Sequence, residues 1–531
     1  MRKISKYIGL AGWCSIMLSS GLAVSCADDW DDHYDGGPRP ERTLWQEITS
    51  RPDLADFAKL LKSKGCDKYL DSDQRYTVWA PSGAINTTLV TGEEMSAEEI
   101  QIQVVENHIA RGLISASSVL NDTIRVLNGK PMPFVWENGR PHFNGAGVKT
   151  FNIECSNGDL HILDAQAVYN NNIWSYLRQD AAFSSITEYL YSYNKLVFDP
   201  EASTPGGVVN GEQVYLDSVF VLSNELWGQI GYLNDESRRY TMLVPVNECW
   251  NKMIGTLKTF YNYADEEENA TLAEKYARRK VLDALVFENR RQTKWPDYWT
   301  STAGYDFYHP EEEGGLFYGA ESIGCSNGEI LKSRDVTLDP YQVLATDIVI
   351  EAENYGDYLV TGNYYDKEND RPVFVAAAGT GVSKSHYMKY TSTNLLRGAT
   401  VTYALPNVLS CSYDIGVVFV PTNLTRNGWI TTIDQKKGRV DFELSDGYTK
   451  EKVSVKDVEI PGNKLDTIWV KKGHTFAYCD YYPNRLTMTD AKVTLKISST
   501  PKRSESAYTR DLYIDCIVLK PTVNEDLSDE E

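Results

Sequence analysis

Most of the compact signatures of a catalyst are missing from this chain of 531 residues. There is no H-E-x-x-H, no P-loop and no G-x-G-x-x-G, so the helical zinc pair and the common phosphate cradles are excluded as motifs. The seven histidines are scattered, at 33, 108, 142, 161, 309, 386 and 474. No C-x-x-C occurs among the nine cysteines, which removes the zinc knuckle and the dithiol redox motif. Positive charge is scarce: 53 Lys and Arg stand against 74 Asp and Glu, a net charge of −21. That balance opposes nucleic-acid phosphates and anionic membrane surfaces. Past the N-terminal apolar run, no stretch is long and apolar enough to span a bilayer. A glycosidase needs only two carboxylates placed in space, so a hydrolase stays open, but no pair stands out. The sequence indicates no cofactor and no metal site.

What is present begins with Met1-Arg2-Lys3-Ile4-Ser5-Lys6 and an interrupted apolar run from Tyr7 to Val24. A basic start, a short apolar middle and small residues before a cut read as a secretory signal. The cut site, Leu22-Ala23-Val24-Ser25-Cys26, resembles a lipoprotein box in which Cys26 takes the lipid and becomes the new N-terminus. The alternative is ordinary cleavage nearby with a free Cys26. Asp28, Asp29, Asp31, Asp32 and Asp35 follow, then Gly36-Gly37-Pro38-Arg39-Pro40. Such a segment is a solvated tether. It also resembles the surface-export signal of some Gram-negative lipoproteins. The resulting expectation is a lipid-anchored, surface-exposed protein of the outer membrane.

Two stretches of the chain are copies. Arg75-Tyr76-Thr77-Val78-Trp79-Ala80-Pro81-Ser82 recurs as Arg239-Tyr240-Thr241-Met242-Leu243-Val244-Pro245-Val246. Cys155-Ser156-Asn157-Gly158-Asp159 recurs as Cys325-Ser326-Asn327-Gly328-Glu329. The offsets, 164 and 170 residues, keep order and spacing. A period that long marks a domain occurring twice rather than a solenoid.

At these residues the chain resembles the fasciclin-like domain family. There, a strand of the form aromatic-Thr-Val-aromatic-Ala-Pro leads into a helix, a segment with a His follows, and a strand introduced by Asn-Gly closes the domain. The first copy supplies Tyr76 to Ser82, Asn107-His108-Ile109 and Asn157-Gly158. In the second copy Glu288-Asn289 stands where the His is expected. His108 itself, on an amphipathic helix, reads as a hydrogen-bonded structural residue.

The first copy opens with Leu44, Ile48, Leu54, Phe57, Leu60 and Leu61 in helical spacing, closed by Gly65. Residues 98–113 read as a helix with Ile102, Val105, Ile109 and Leu113 on one side. Asn-Gly pairs at 128, 138 and 157 are hairpin signals. In the second copy, Pro205-Gly206-Gly207 and Asn210-Gly211 mark a loop, and Glu266-Glu267-Glu268 a solvated helix. Its densest aromatic stretch is Trp295-Pro296-Asp297-Tyr298-Trp299. Trp295, Tyr298 and Trp299 are candidates for a platform that stacks on the apolar faces of sugars; the alternative is a covered hydrophobic cluster. After residue 346, alternating runs at 400–405, 413–420, 452–458, 465–470, 492–497 and 512–519 indicate short strands of a sandwich. Its two ends, Ile348 to Tyr355 and Tyr513 to Leu519, loosely resemble the edges of jelly-roll carbohydrate-binding modules. A disulfide among Cys411, Cys479 and Cys516 is left open outside the cytoplasm.

The expected fold class is α+β: two tandem fasciclin-like domains followed by an all-β antiparallel sandwich of jelly-roll type. The expected boundaries are a signal at 1–25, a tether at 26–41, fasciclin-like domains at 42–173 and 174–345, the sandwich at 346–522 and an acidic tail at 523–531. The function this implies is non-enzymatic: adhesion or extracellular ligand binding, with a protein or a neutral glycan as partner. An accessory glycan-binding role in an outer-membrane polysaccharide uptake system is the alternative.

Overall fold

The computed structural model describes residues 40–87, 97–209, 211–288, 297–363, 373–376, 378–392, 398–425, 428–430, 435–449 and 452–523. Cys26 with its flanking signal and tether, Trp295 and the tail from Asn524 lie outside the described residues. The described chain divides into two units. One comprises residues 40–86, 101–127 and 132–168; the other runs from 169 onward and takes in two short excursions.

In the first unit Thr43 starts a helix, Leu44–Thr49, through a capping box with Gln46. Two further helices follow, Ala55–Ser63 and Asp67–Leu70. Leu44, Ile48, Leu54, Phe57, Leu60 and Leu61, read in helical spacing, are all buried. The sheet has seven strands, and Tyr76–Pro81 lies second from its edge. That strand is buried along its whole length. It pairs in parallel with Gly158–Leu163, Tyr76 opposite Gly158, and antiparallel with Ile109–Arg111. Asn138 (φ 52°) and Gly139 (φ 81°) turn the hairpin between Pro131–Glu137 and Arg140–Phe143, the geometry an Asn-Gly pair favours. Trp79 stacks on Phe143 at 4.2 Å and meets Phe134 edge-on at 5.4 Å, forming a core beneath the sheet.

The helix expected over 98–113 is shorter. It spans Ala97–Glu106, and Ile109 joins the sheet opposite Val78. Leu113 is exposed. The bond from the Trp79 N–H to the His108 carbonyl, at 2.9 Å, draws this segment into extended form. Sheet pairing prevails over the helical period.

The second unit repeats the first unit's central pairing. Tyr240–Pro245 is buried throughout and lies parallel to Gly328–Ser333, Tyr240 opposite Gly328. Val286–Phe287 pairs antiparallel with it, Met242 opposite Val286, as Ile109 stands opposite Val78. The copies share side-chain anchors as well. Asn157 Oδ1 accepts the Leu44 N–H at 2.8 Å, and its amide donates to the Leu70 and Ser72 carbonyls. Asn327 Oδ1 accepts the Ile173 N–H at 2.9 Å, and its amide donates to the Leu233 and Asp235 carbonyls. Cys155 and Cys325 occupy matching ladder positions opposite Gly158 and Gly328.

The expected loop at 205–211 is instead a ribbon, Pro205–Val209 paired with Glu212–Tyr215. Beyond residue 346 two antiparallel sheets dominate, of six and five strands. They face one another, as Phe419 meets Phe442 at 6.3 Å across them and Tyr390 shares a hydroxyl hydrogen bond with Tyr403. Every alternating run read from the sequence is a strand, and Gly438–Ser445 is among the further strands that complete the two sheets. This part is continuous with the residues before it. The Cys479 N–H donates to the Asn262 carbonyl at 2.8 Å, and the Tyr263 hydroxyl to the Tyr481 carbonyl at 2.7 Å. Cys411, Cys479 and Cys516 are buried, free thiols, so the disulfide left open among them is not formed.

Candidate functional site

The aromatic stretch folds as a short hairpin, Tyr298–Thr300 against Asp306–Tyr308. Side chains alternate across a strand pair, and here the alternation divides the candidates. Trp299 is only 5% exposed and packs edge-on against Phe287 at 5.9 Å and Phe317 at 5.8 Å. As a platform ring Trp299 is therefore corrected: it belongs to the core and offers no face to a ligand. Tyr298 points the other way, 47% exposed, beside Tyr308 at 64%. Their rings lie 5.4 Å apart at 42°, an exposed two-ring surface. Trp295 is outside the described residues.

His108 lies just past its helix, fully buried, and is held from both sides. Its Nδ1 bonds the Val104 carbonyl at 2.7 Å, and its Nε2 accepts the Ala167 N–H at 3.1 Å. His161 is arranged in reverse: Nδ1 accepts the Asn152 N–H at 3.2 Å, and Nε2 bonds the Ile114 carbonyl at 2.8 Å. Burial pushes both imidazoles down to about 4, so both are neutral struts. In the second unit the residue matching His108 is Leu285, whose carbonyl accepts the Leu243 N–H at 2.9 Å. Glu288 does not take that place, and Asn289 lies outside the described residues.

Sequence reasoning missed one cluster. Glu351, Asp515 and Cys516 are buried, with ligand atoms all within 4.8 Å of one another. Ser383 joins them, its hydroxyl donating to Glu351 Oε1 at 2.7 Å and its N–H to both Asp515 oxygens at 3.1 Å. Lys384 (φ 46°) and Ser385 (φ 60°) follow in the left-handed region, a strained turn that presents Ser383 to the carboxylates. Burial pushes the Asp515 carboxyl up to about 7 and raises Glu353 and the Cys516 thiol. Lys384 Nζ reaches Glu351 at 3.4 Å, yet Glu351 Oε2 and Glu353 Oε2 are buried without a hydrogen-bond partner among the described residues. Orphaned carboxylate oxygens beside a hydroxyl suit a hard divalent cation of the calcium type. Glu351 lies far in sequence from Asp515 and Cys516 and meets them because Ile348–Glu351 pairs with Leu512–Thr522, Glu351 opposite Cys516.

Comparison with known proteins identifies a fasciclin domain at residues 52–167. The Synechocystis sp. protein sll1483 is 21% identical over 127 residues, which is 23% of this chain and 71% of that protein. Among solved structures, the chain is similar to a FAS1 domain pair from the insect cell adhesion molecule fasciclin I. That match has 15% identity, covers 55% of this chain and 99% of the pair, and has a TM-score of 0.21. A family 35 carbohydrate binding module from Clostridium thermocellum matches at 7% identity, over 34% of this chain and all (100%) of the module, with a TM-score of 0.19.

Proposed function

We propose that this protein is a non-enzymatic lipoprotein of the outer-membrane surface, anchored through Cys26 and acting in adhesion or extracellular ligand binding. In this reading the second unit opens with a divergent fasciclin-like domain, 174–345, and closes with a jelly-roll-like sandwich, 346–522. The observation that carries the function is the fasciclin domain at 52–167, an adhesion-type domain. The placement of Cys26 after Leu22-Ala23-Val24-Ser25 supports the anchor. Both buried histidines of that domain have their ring nitrogens engaged by backbone groups, which favours scaffold over catalyst. A fold used so widely does not name its ligand.

A second reading, an accessory glycan-binding role in polysaccharide uptake, is favoured by the exposed Tyr298–Tyr308 pair. The test is cell fractionation with whole-cell protease treatment. The native chain is expected in the outer-membrane fraction and open to protease, and Cys26→Ala in the soluble fraction. A Cys26→Ala chain that stays membrane-bound would overturn the anchor, and a native chain shielded from protease would overturn the surface placement.

A further inference from the structure

Within the second unit, the helix Glu266–Asp283 and the loop before Thr494–Ser499 flank an open groove of about 530 Å³. That lies inside the roughly 300–1,000 Å³ range of small-ligand pockets. Its walls carry three tyrosines, Tyr276 from the helix and Tyr448 and Tyr482 from the sandwich loops.

The walls are fixed before any ligand arrives. Asp480 is fully buried at the base and takes two bonds from Arg485, at 3.0 and 2.7 Å, one from the Tyr448 hydroxyl at 2.9 Å and one from the Lys492 N–H at 3.0 Å. The Tyr482 hydroxyl donates to Glu268 Oε2 at 2.7 Å, joining loop to helix. Arg485 lies over the Tyr482 ring at 5.0 Å. Rings held this way lose little freedom on binding.

The same bonds decide the chemistry. Asp480 has its lone pairs engaged and its charge matched by Arg485, so it is a brace and not a free base. The remaining charges are Glu268 and Asp490 against Lys492, which disfavours an anionic ligand. Aromatic faces with amide, ammonium and carboxylate groups at the rim match a ligand with apolar ring faces and an edge of hydroxyls.

We infer that this groove is a binding site for a short neutral oligosaccharide, formed jointly by the second copy's long helix and the sandwich loops. The inference rests on the ligand-binding reading above and gives it a site separate from Tyr298.

The test is titration of the full chain with a panel of neutral oligosaccharides of two to six sugars, beside uronate-bearing oligosaccharides and a Lys-rich peptide. Two variants accompany it: Tyr448→Ala removes a wall, and Asn484→Trp fills the mouth from an exposed position. Neutral oligosaccharides are expected to bind, with affinity falling at least about tenfold in each variant and with melting unchanged in Asn484→Trp (a factor of ten is about 1.4 kcal/mol). Should Tyr448→Ala melt early, Asn484→Trp decides alone. Absence of neutral-sugar binding, a preference for the uronates or the peptide, or binding untouched by Asn484→Trp would each overturn the site. In the last case the glycan-binding reading would survive and its groove would not, and neither outcome bears on the Cys26 anchor.

Discussion

Gly158 packs face to face with the backbone of Tyr76: a Cβ at Gly158 would stand 2.0 Å from the Tyr76 carbonyl oxygen. Gly328 repeats the relationship, with 1.9 Å to the Tyr240 oxygen. The backbone cannot yield without breaking the parallel ladder between the two strands. Gly158→Ala and Gly328→Ala are each expected to destabilise their own unit by about 3 kcal/mol or more, in the range reserved for named steric failures. Gly139→Ala, where nothing lies within 4 Å, strains only its φ of 81° and is expected to cost about 1 kcal/mol. Denaturant melts of the three variants check the order; equal losses would contradict it.

The two buried histidines set an acid limit on the first unit. Their folded values, about 4, lie below the ordinary 6.5. Below pH 6.5 the unfolded chain takes up protons that the native imidazoles refuse. The stability they contribute is therefore complete above pH 6.5 and is lost as pH falls toward 4. The loss is up to about 3 kcal/mol per histidine. Imidazole proton signals of His108 and His161 are expected to stay at their neutral positions at pH 5. A midpoint near 6.5 for either would contradict the burial.

Trp299 and Tyr298 should separate cleanly. Trp299→Ala removes a core ring and is expected to cost about 3–5 kcal/mol. Tyr298→Ala, on the exposed face, is expected to stay within about 0.5 kcal/mol of the native chain. Thermal melts of both suffice. A neutral Trp299→Ala would return that ring to the surface.

Calcium is expected to raise the melting temperature through Glu351 and Asp515. At a hundredfold excess over the dissociation constant the gain is roughly 2.7 kcal/mol. Asp515→Asn should abolish the calcium response while leaving a folded chain, and calorimetry with and without chelator measures it. A native chain indifferent to calcium would reduce the cluster to a buried acidic pair held by Ser383.

The sequence was most readable where neighbours decide the outcome. The strands at Tyr76 and Tyr240, the Asn157 and Asn327 turns and the runs after 346 carry their own local patterns, and each appears as read. Partners fixed by register were harder. Leu285 rather than Glu288 matches His108, because the second copy places two long helices, Asn247–Lys258 and Glu266–Asp283, before the pairing strand. Trp299 and Tyr298 are adjacent letters with opposite fates, since the hairpin turns one inward. Glu351 and Asp515 meet only through the pairing of the first and last strands of the C-terminal region, which no window of sequence contains.

The bonds from the segment 260–263 to the loop around Cys479 carry one more consequence, for how the second unit comes apart. Tyr261 is buried, and Tyr481, 5.2 Å away, is one of its lids. A chain stopped at residue 345 would leave that ring facing water, with the Asn262 carbonyl robbed of its donor. The copy and the sheets after it are therefore expected to unfold in a single cooperative step, and nicking between them should release no stable fragment.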